Sequence, residues 1–418
     1  MSMRQRFASA RTRWLLLLSV IGPGIITTNV DNDAGGITTY SVAGAHFGYS
    51  LLWMLPLAGL ALVFAQEMSA RLGLVTGKGL ADLIREKTGV RGTAVIIGIM
   101  IFTNLANTVS EFAGVAASME LFGISKYIAV PLAAIGVWLL IVKGNYRSVE
   151  RVFLAASAFY VAYVAAAILA RPAWPAVVQA MRTPTFRFES AYVTIFVTII
   201  GTTIAPWQQF YQQSAIVDKG LTVKDYGYEL VDVLVGNVYA MLIVALVVIT
   251  CAATLFVGGV HIDTAADAAM SLRPLAGTHA ATLFALGLLN ASLFAAAVLP
   301  LSTAYVVCEA FGWESGVSHK FREAPMFFGV HTALIALGAA VILLPIKSLV
   351  QTMLASQTLN GVVLPIIMIV MLRLVNDRKL MGKYANPKAY NVLAWAIVVA
   401  LIALTAILII TTLFPHFA

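Results

Sequence analysis

Apolar segments long enough to cross a bilayer recur eleven times along this chain, and no other feature limits its fold as much. A helix needs about 20 apolar residues to traverse the hydrocarbon. Runs of that kind cover residues 14–48, 50–70, 93–121, 125–143, 149–170, 188–217, 228–257, 279–311, 325–345, 349–374 and 391–414, and the first and sixth are interrupted. Of the 418 residues 60% are apolar and 11% charged, against roughly 25% charged in an ordinary soluble domain. Lipid is therefore the solvent for most of the surface. The expected architecture is an all-α membrane protein, one transmembrane domain over residues 1–418.

The formal charge of +8 would suit a nucleic-acid surface only if it were clustered on one folded face, and it is not. With the N-terminus inside, 21 of the 27 Lys and Arg fall in connections on the inner side, including Arg4 to Arg13, Arg71 to Arg91, and Arg373 to Lys388. The outer side holds the other 6: Lys126, Arg171, Arg182, Arg187, Arg273 and Lys347. Such asymmetry orients a membrane protein against anionic lipid. A cytoplasmic N-terminus, an external C-terminus and a prokaryotic plasma membrane are expected. The first run continues into polar, glycine-rich sequence without an A-x-A-like site, so no cleavable signal peptide is expected. Gly79–Lys87 is too short and too charged to span and reads as an interfacial amphipathic helix. Cys251 and Cys308 fall inside apolar runs and support neither a disulfide nor a metal framework.

The interruptions carry the chemistry. The first run reads VIGPGIITT, then NVDNDAGG, then ITTYSVAGAHFGY. On insertion scales Asp31 and Asp33 would each cost roughly 2.5–3.5 kcal/mol at mid-bilayer in a continuous lipid-exposed helix. The sixth run, VTIFVTIIGTTIAPWQQFYQQSAIV, breaks at Pro206 and continues with Gln208, Gln209, Gln212 and Gln213. Even the flanks echo each other, IITTN against IGTTI. Irregular backbone at that depth survives only where protein or a water-filled cavity satisfies it. Paired interruptions in two halves point to a transport site at the midplane. The halves would be repeats over about 14–170 and 188–374, with an additional helix at about 391–414. Freed carbonyls at the half-helix ends would then coordinate a cation, with Asp33 as its charged partner. The competing account is two kinked helices carrying a hydrated loop.

The run DAGGITTYSVAGAHFGYSLLW resembles the first-helix signature of the Nramp divalent-metal transporters, which begins Asp-Pro-Gly-Asn. EMSARLGLVTGKGLADLIREKTG is similar to their second helix and following loop, DRKLMGKYANP to their loop after helix ten, and APWQQ to their Met-Pro-His-Asn. The resemblance covers spans 1 to 10. It implies a LeuT-type fold of eleven transmembrane helices, two inverted five-helix repeats with helices 1 and 6 broken.

Departures from that pattern bear on the cargo. Asp33 takes the place of the family's metal-binding Asp, but Gly36 stands where its metal-binding Asn would be, and Ala34 replaces the Pro. Ala205 occupies the position of the metal-binding Met, and Trp207 that of a His. Glu111 is kept, whereas Thr108 replaces an Asp associated with proton release, and span 9 lacks the family's arginines. Without a soft thioether, the donors left are oxygens: the Asp33 carboxylate with Asp31 beside it, carbonyls near Val30 and Thr202, and the amides of Gln208 and Gln357. The smaller side chains imply a larger cavity. Mg²⁺ keeps several waters and takes one or two carboxylates, so this set implies partly hydrated Mg²⁺, with Mn²⁺ also admitted, as in the Nramp-related magnesium transporters. Loss of the relay residues implies weak or absent proton coupling, with entry driven by about 4.6 kcal/mol per divalent ion at 100 mV.

Alternatives remain at this level. One is a transition-metal (Mn²⁺/Fe²⁺) proton symporter of the Nramp type. Another is an amino-acid or organic-cation carrier on the same fold, its substrate amine using Asp33, and a third is a gated channel. No His–Cys cluster, nucleotide loop or nucleophile–base pair suggests an enzyme. The implied partners are a divalent ion as substrate and the lipid bilayer, with no cofactor, nucleic acid or obligate protein partner. Asp232 and Glu309 read as interfacial, His46 and His331 as packing or interface residues, and Met119, Met353 and Met368 as lipid- or core-facing.

Overall fold

The computed structural model describes residue 27 and residues 30–143 and 161–414. The first half of span 1, the start of span 5 and their basic flanks, from Arg4 to Arg13 and from Arg147 to Arg151, lie outside the described residues. The helices are α1 (Ala34–Phe47), α2 (Met54–Thr76), α3 (Leu80–Glu120), α4 (Lys126–Val142), α5 (Val161–Leu169), α6 (Trp174–Arg182), α7 (Ser190–Thr203), α8 (Pro206–Asp218), α9 (Tyr226–Cys251), α10 (Ala280–Phe311), α11 (Pro325–Leu343), α12 (Leu349–Val375) and α13 (Lys388–Leu413). Among the described residues, eight helical stretches are long and apolar enough to cross a membrane, α7 and α8 together forming one of them. No strand occurs among the described residues. Within the described residues the spans sit where the apolar runs place them, to within a few residues at most ends. Their outer faces carry side chains such as Phe102, Leu132, Val238 and Val392, each more than half exposed, as lipid contact requires.

The charged segment after α2 is helical, as expected, and runs straight into span 3. Only Gly89, at φ 67° and ψ −176°, separates the two, a left-handed conformation that favours glycine. Its inner face (Leu80, Ala81, Leu83, Ile84) is buried and Glu86 and Lys87 are exposed. Helix packing elsewhere relies on small residues, which let backbones approach closely where lipid supplies no hydrophobic drive. The tightest contact between backbones joins α7 to α12. A β-carbon on Gly201 would lie 2.0 Å from the Gln357 carbonyl oxygen and 2.3 Å from the Gly361 nitrogen. Gly361 in turn abuts the Val197 carbonyl, 2.5 Å from where its own β-carbon would be.

At the end of the bundle that carries most of the lysines and arginines, one carboxylate gathers four elements. Glu67 of α2 accepts from Tyr226 Oη (2.7 Å) and Tyr390 Oη (2.5 Å). It also pairs with Arg71, one turn along α2, whose Nη2 lies 3.2 Å from Oε2. Arg71 then reaches the connection between α12 and α13, donating to the Tyr384 carbonyl (2.8 Å) and to Asn386 Oδ1 (2.5 Å). Both charges are less than a tenth exposed. Removing one partner of a buried pair costs about 3–5 kcal/mol, because the survivor is left uncompensated. Glu67→Ala is therefore expected to lower the melting temperature in detergent markedly; a melting curve matching the parent's would show that this cluster contributes little.

Two expectations fail at this end. Asp232 and Glu309 are buried, not interfacial. Glu309 accepts from Ser214 Oγ (2.5 Å) and from the Ala81 amide (3.2 Å), so it caps the amphipathic segment's first turn. Acidic residues near the ends of apolar runs look solvated in one dimension. Here neighbouring helices cover them.

Candidate metal-binding site

Both interruptions are real and they face each other. The first is a turn over residues 31–33, after which α1 starts with Asp33 as its N-cap, Oδ1 accepting from the Gly36 amide at 2.5 Å. The second is short: Ile204 (φ −124°, ψ 53°) leaves the helix, Ala205 is extended, and Pro206 opens α8. Proline fits a first helical position because its missing N–H would have no partner there. Gln208, the third residue of α8, sends Nε2 back across to Asp31 Oδ1 at 2.6 Å. That bond stitches the two breaks together.

Oxygens converge where the breaks meet. A β-carbon added at Gly36 would lie 2.5 Å from the Asp31 carbonyl oxygen, 3.1 Å from Thr202 Oγ1 and 3.3 Å from Asp33 Oδ1. Several acceptors around this point have no hydrogen-bond partner although fully buried: Asp31 Oδ2, Thr202 Oγ1, Gln208 Oε1 and, on α3, Glu111 Oε1. Buried acceptors without donors are costly. A cation is the partner that would satisfy acidic and neutral oxygens together.

The expected residues divide into those that reach this cluster and those that do not. Asp31 and Asp33 both belong to it, and Asp31 holds the free oxygen. Thr202 contributes its hydroxyl. Val30 is buried just ahead of the turn, but the loop carbonyl at the convergence point is that of Asp31. Gln208 joins with its side chain. Gln357 is adjacent but presents the wrong end: its Nε2 lies 3.3 Å from Asp33 Oδ2 while its oxygen is taken by Asn360 Nδ2 at 2.8 Å. It therefore steadies Asp33 from behind, backed by the mutual Asn360–Asn107 amide pair. Ala205 offers no side-chain donor, and its carbonyl receives the Gln208 amide at 3.1 Å. Gly36 does not open a larger cavity, since the Asp31 carbonyl fills the space a side chain would need.

The pathway residues are similarly sorted. Glu111 is buried beside the site, its Oε2 accepting from the Ala34 amide at 3.2 Å. Thr108 turns its hydroxyl back onto the Asn104 carbonyl (2.8 Å), a bond internal to the helix. Trp207 is buried, with its carbonyl held by Ser302 Oγ at 3.1 Å. Met353, read as an ordinary core residue, packs its sulfur 3.5 Å from Thr38 Oγ1, one turn of α12 from Gln357. Residue-type reasoning overlooked Thr203 and Tyr40, whose hydroxyls meet across α1 and α7 at 3.4 Å; the TTY and GTT triplets flanking the breaks were the available signal.

A helical membrane bundle whose two interrupted spans meet over buried carboxylates has the architecture of the LeuT-type secondary transporters. The solved structures agree. A crystal structure of the Eremococcus coleocola manganese transporter superposes with a TM-score of 0.79 at 22% identity, covering 95% of this chain and 87% of that one. Mhp1, a nucleobase-cation-symport-1 family transporter, does so at 0.58 and 15% identity, covering 93% and 89%. The profile described as Natural resistance-associated macrophage protein-like matches residues 24–411, and the chain belongs to the Nramp family. Among curated relatives, the divalent metal cation transporter MntH of Bacillus subtilis (strain 168) is 27% identical over 412 residues, 95% of this chain and 93% of that protein. MntH of Ralstonia nicotianae is 28% identical over 405 residues, 92% and 89%.

Proposed function

We propose that this protein is an alternating-access carrier of divalent metal cations, with Mn²⁺ as its principal cargo, bound where the interrupted spans meet. The observation that carries the reading is the set of buried oxygens without donors, Asp31 Oδ2, Thr202 Oγ1 and Gln208 Oε1, around two carboxylates. The relatives are named for divalent metal cations and, in the solved structure, for manganese. A preference for Mg²⁺ finds no such support and gives way to Mn²⁺. An all-oxygen site suits both ions, so Mg²⁺ is a competitor. The chain lies in the plasma membrane with its basic end in the cytoplasm, where the Lys and Arg excess puts it. Proton coupling is weak, because Thr108 is spent on its own helix and α11 carries no arginine.

Purified protein in liposomes loaded with a Mn²⁺ indicator and a pH dye tests this. Saturable Mn²⁺ uptake, inhibited by Mg²⁺ and unaccompanied by internal acidification, is the expected result. Absence of Mn²⁺ uptake would sink the reading, and acidification in step with uptake would sink the uncoupled part alone.

A further inference from the structure

We infer that Tyr40, with Thr203 opposite it, holds a water molecule that the transported ion keeps, and so sets the balance between Mg²⁺ and Mn²⁺. The inference rests on the metal site proposed above. Tyr40 stands one helical turn beyond Gly36 on α1, and helical side chains lean toward the N-terminus of their helix. Its phenol therefore hangs back over the turn where the Asp31 carbonyl, Thr202 Oγ1 and Asp33 Oδ1 converge. The side chain is completely buried, and both carboxylates lie within its electrostatic reach, with Thr202 and Thr203 both in range of its hydroxyl.

The partners that the fold gives this hydroxyl are other hydroxyls, those of Thr203 and Thr202. Its contact with Thr203 Oγ1 is 3.4 Å, long against the ~2.7–2.8 Å usual between hydroxyls. Two hydroxyl oxygens thus stand beside the site, each with a lone pair beyond their mutual contact. Water bound to a dication is a strong donor, and in an apolar interior it must find an acceptor or be stripped off. Carboxylates that ligate the metal directly cannot also serve every retained water. The Tyr40 and Thr203 oxygens can. Mg²⁺ gives up water reluctantly, so it gains most from this pair, and Mn²⁺ gains less.

The test is Mg²⁺ inhibition of Mn²⁺ uptake in liposomes carrying the full chain, with Tyr40→Phe, Thr203→Ala and Asp33→Asn beside the parent. Tyr40→Phe keeps the ring and its packing and removes only the oxygen. It is expected to raise the Mn²⁺ KM roughly threefold and the Mg²⁺ inhibition constant about tenfold, the loss of one hydrogen bond to a charged group. Thr203→Ala should shift the ratio the same way. A merely structural role would lower the maximal rate for both ions and leave the ratio alone. That outcome, or an unchanged ratio in Tyr40→Phe while Asp33→Asn is inactive, overturns the inference. Parent-like uptake by Asp33→Asn would instead remove the metal site itself, and this inference with it.

Discussion

Asparagine in place of Asp33 is expected to abolish Mn²⁺ uptake while leaving the fold intact. The substitution keeps an oxygen where Oδ1 now caps α1, and asparagine caps helices about as well as aspartate. What it removes is a negative charge in a site with little water to screen an ion. Deleting one partner of a buried, hydrogen-bonded charge pair costs about 2–5 kcal/mol, or roughly 30- to several-thousand-fold in affinity. Asp31→Asn is expected to do the same, since Asp31 holds the carboxylate oxygen with no donor. Without metal, both variants should melt no lower than the parent, because each removes a buried anion beside another. Calorimetric Mn²⁺ binding within about threefold of the parent in both variants would show that the ion sits elsewhere.

An added methyl group at Gly201 should be nearly as damaging, for a steric reason. Its β-carbon would meet the Gln357 carbonyl and the Gly361 nitrogen at 2.0 and 2.3 Å, far inside ordinary contact. Both neighbours are backbone atoms, so no rotamer change can relieve the clash and the helices must separate. Overpacking of this kind costs about 1–3 kcal/mol or more. It would also move Gln357, which steadies Asp33, so Mn²⁺ affinity should fall along with the melting temperature. Gly98→Ala and Gly136→Ala are the controls. Neither added carbon meets anything within 4 Å, and alanine is the better helix former by about 1 kcal/mol. Gly201→Ala melting level with these two would mean that α7 and α12 are not in backbone contact.

Span positions, both interruptions and the acidic pair were legible in the residues themselves, because hydropathy in lipid is a one-dimensional signal. Aspartates inside an apolar run have few tolerable explanations. What escaped was everything set by a partner far along the chain. Gln357 looked like a ligand because its type and position allow one, yet the distant Asn107 and its helix neighbour Asn360 hold the amide with nitrogen toward Asp33. Gly36 looked like vacated space until the fold put the Asp31 carbonyl into it. The Glu67–Arg71 cluster was invisible because its partners, Tyr226, Tyr390 and Asn386, lie more than 150 residues away. Glu309 misled for the same reason.

The two halves of the sixth span are held by different kinds of joint. α7 rests on α12 bone on bone, through glycines with no side-chain cushion between them, so the pair can only travel as a single plank. Past the break, α8 is fastened by hydroxyl and amide bonds, Ser214 to Glu309, Ser302 to Trp207 and Gln213 to the Lys78 carbonyl. Clasps of that sort can be undone one at a time and handed to water, whereas interlocked backbone cannot yield by degrees. In the carrier proposed above, the door is therefore expected to hang on the glutamine-rich side of the proline, with the glycine side as its frame.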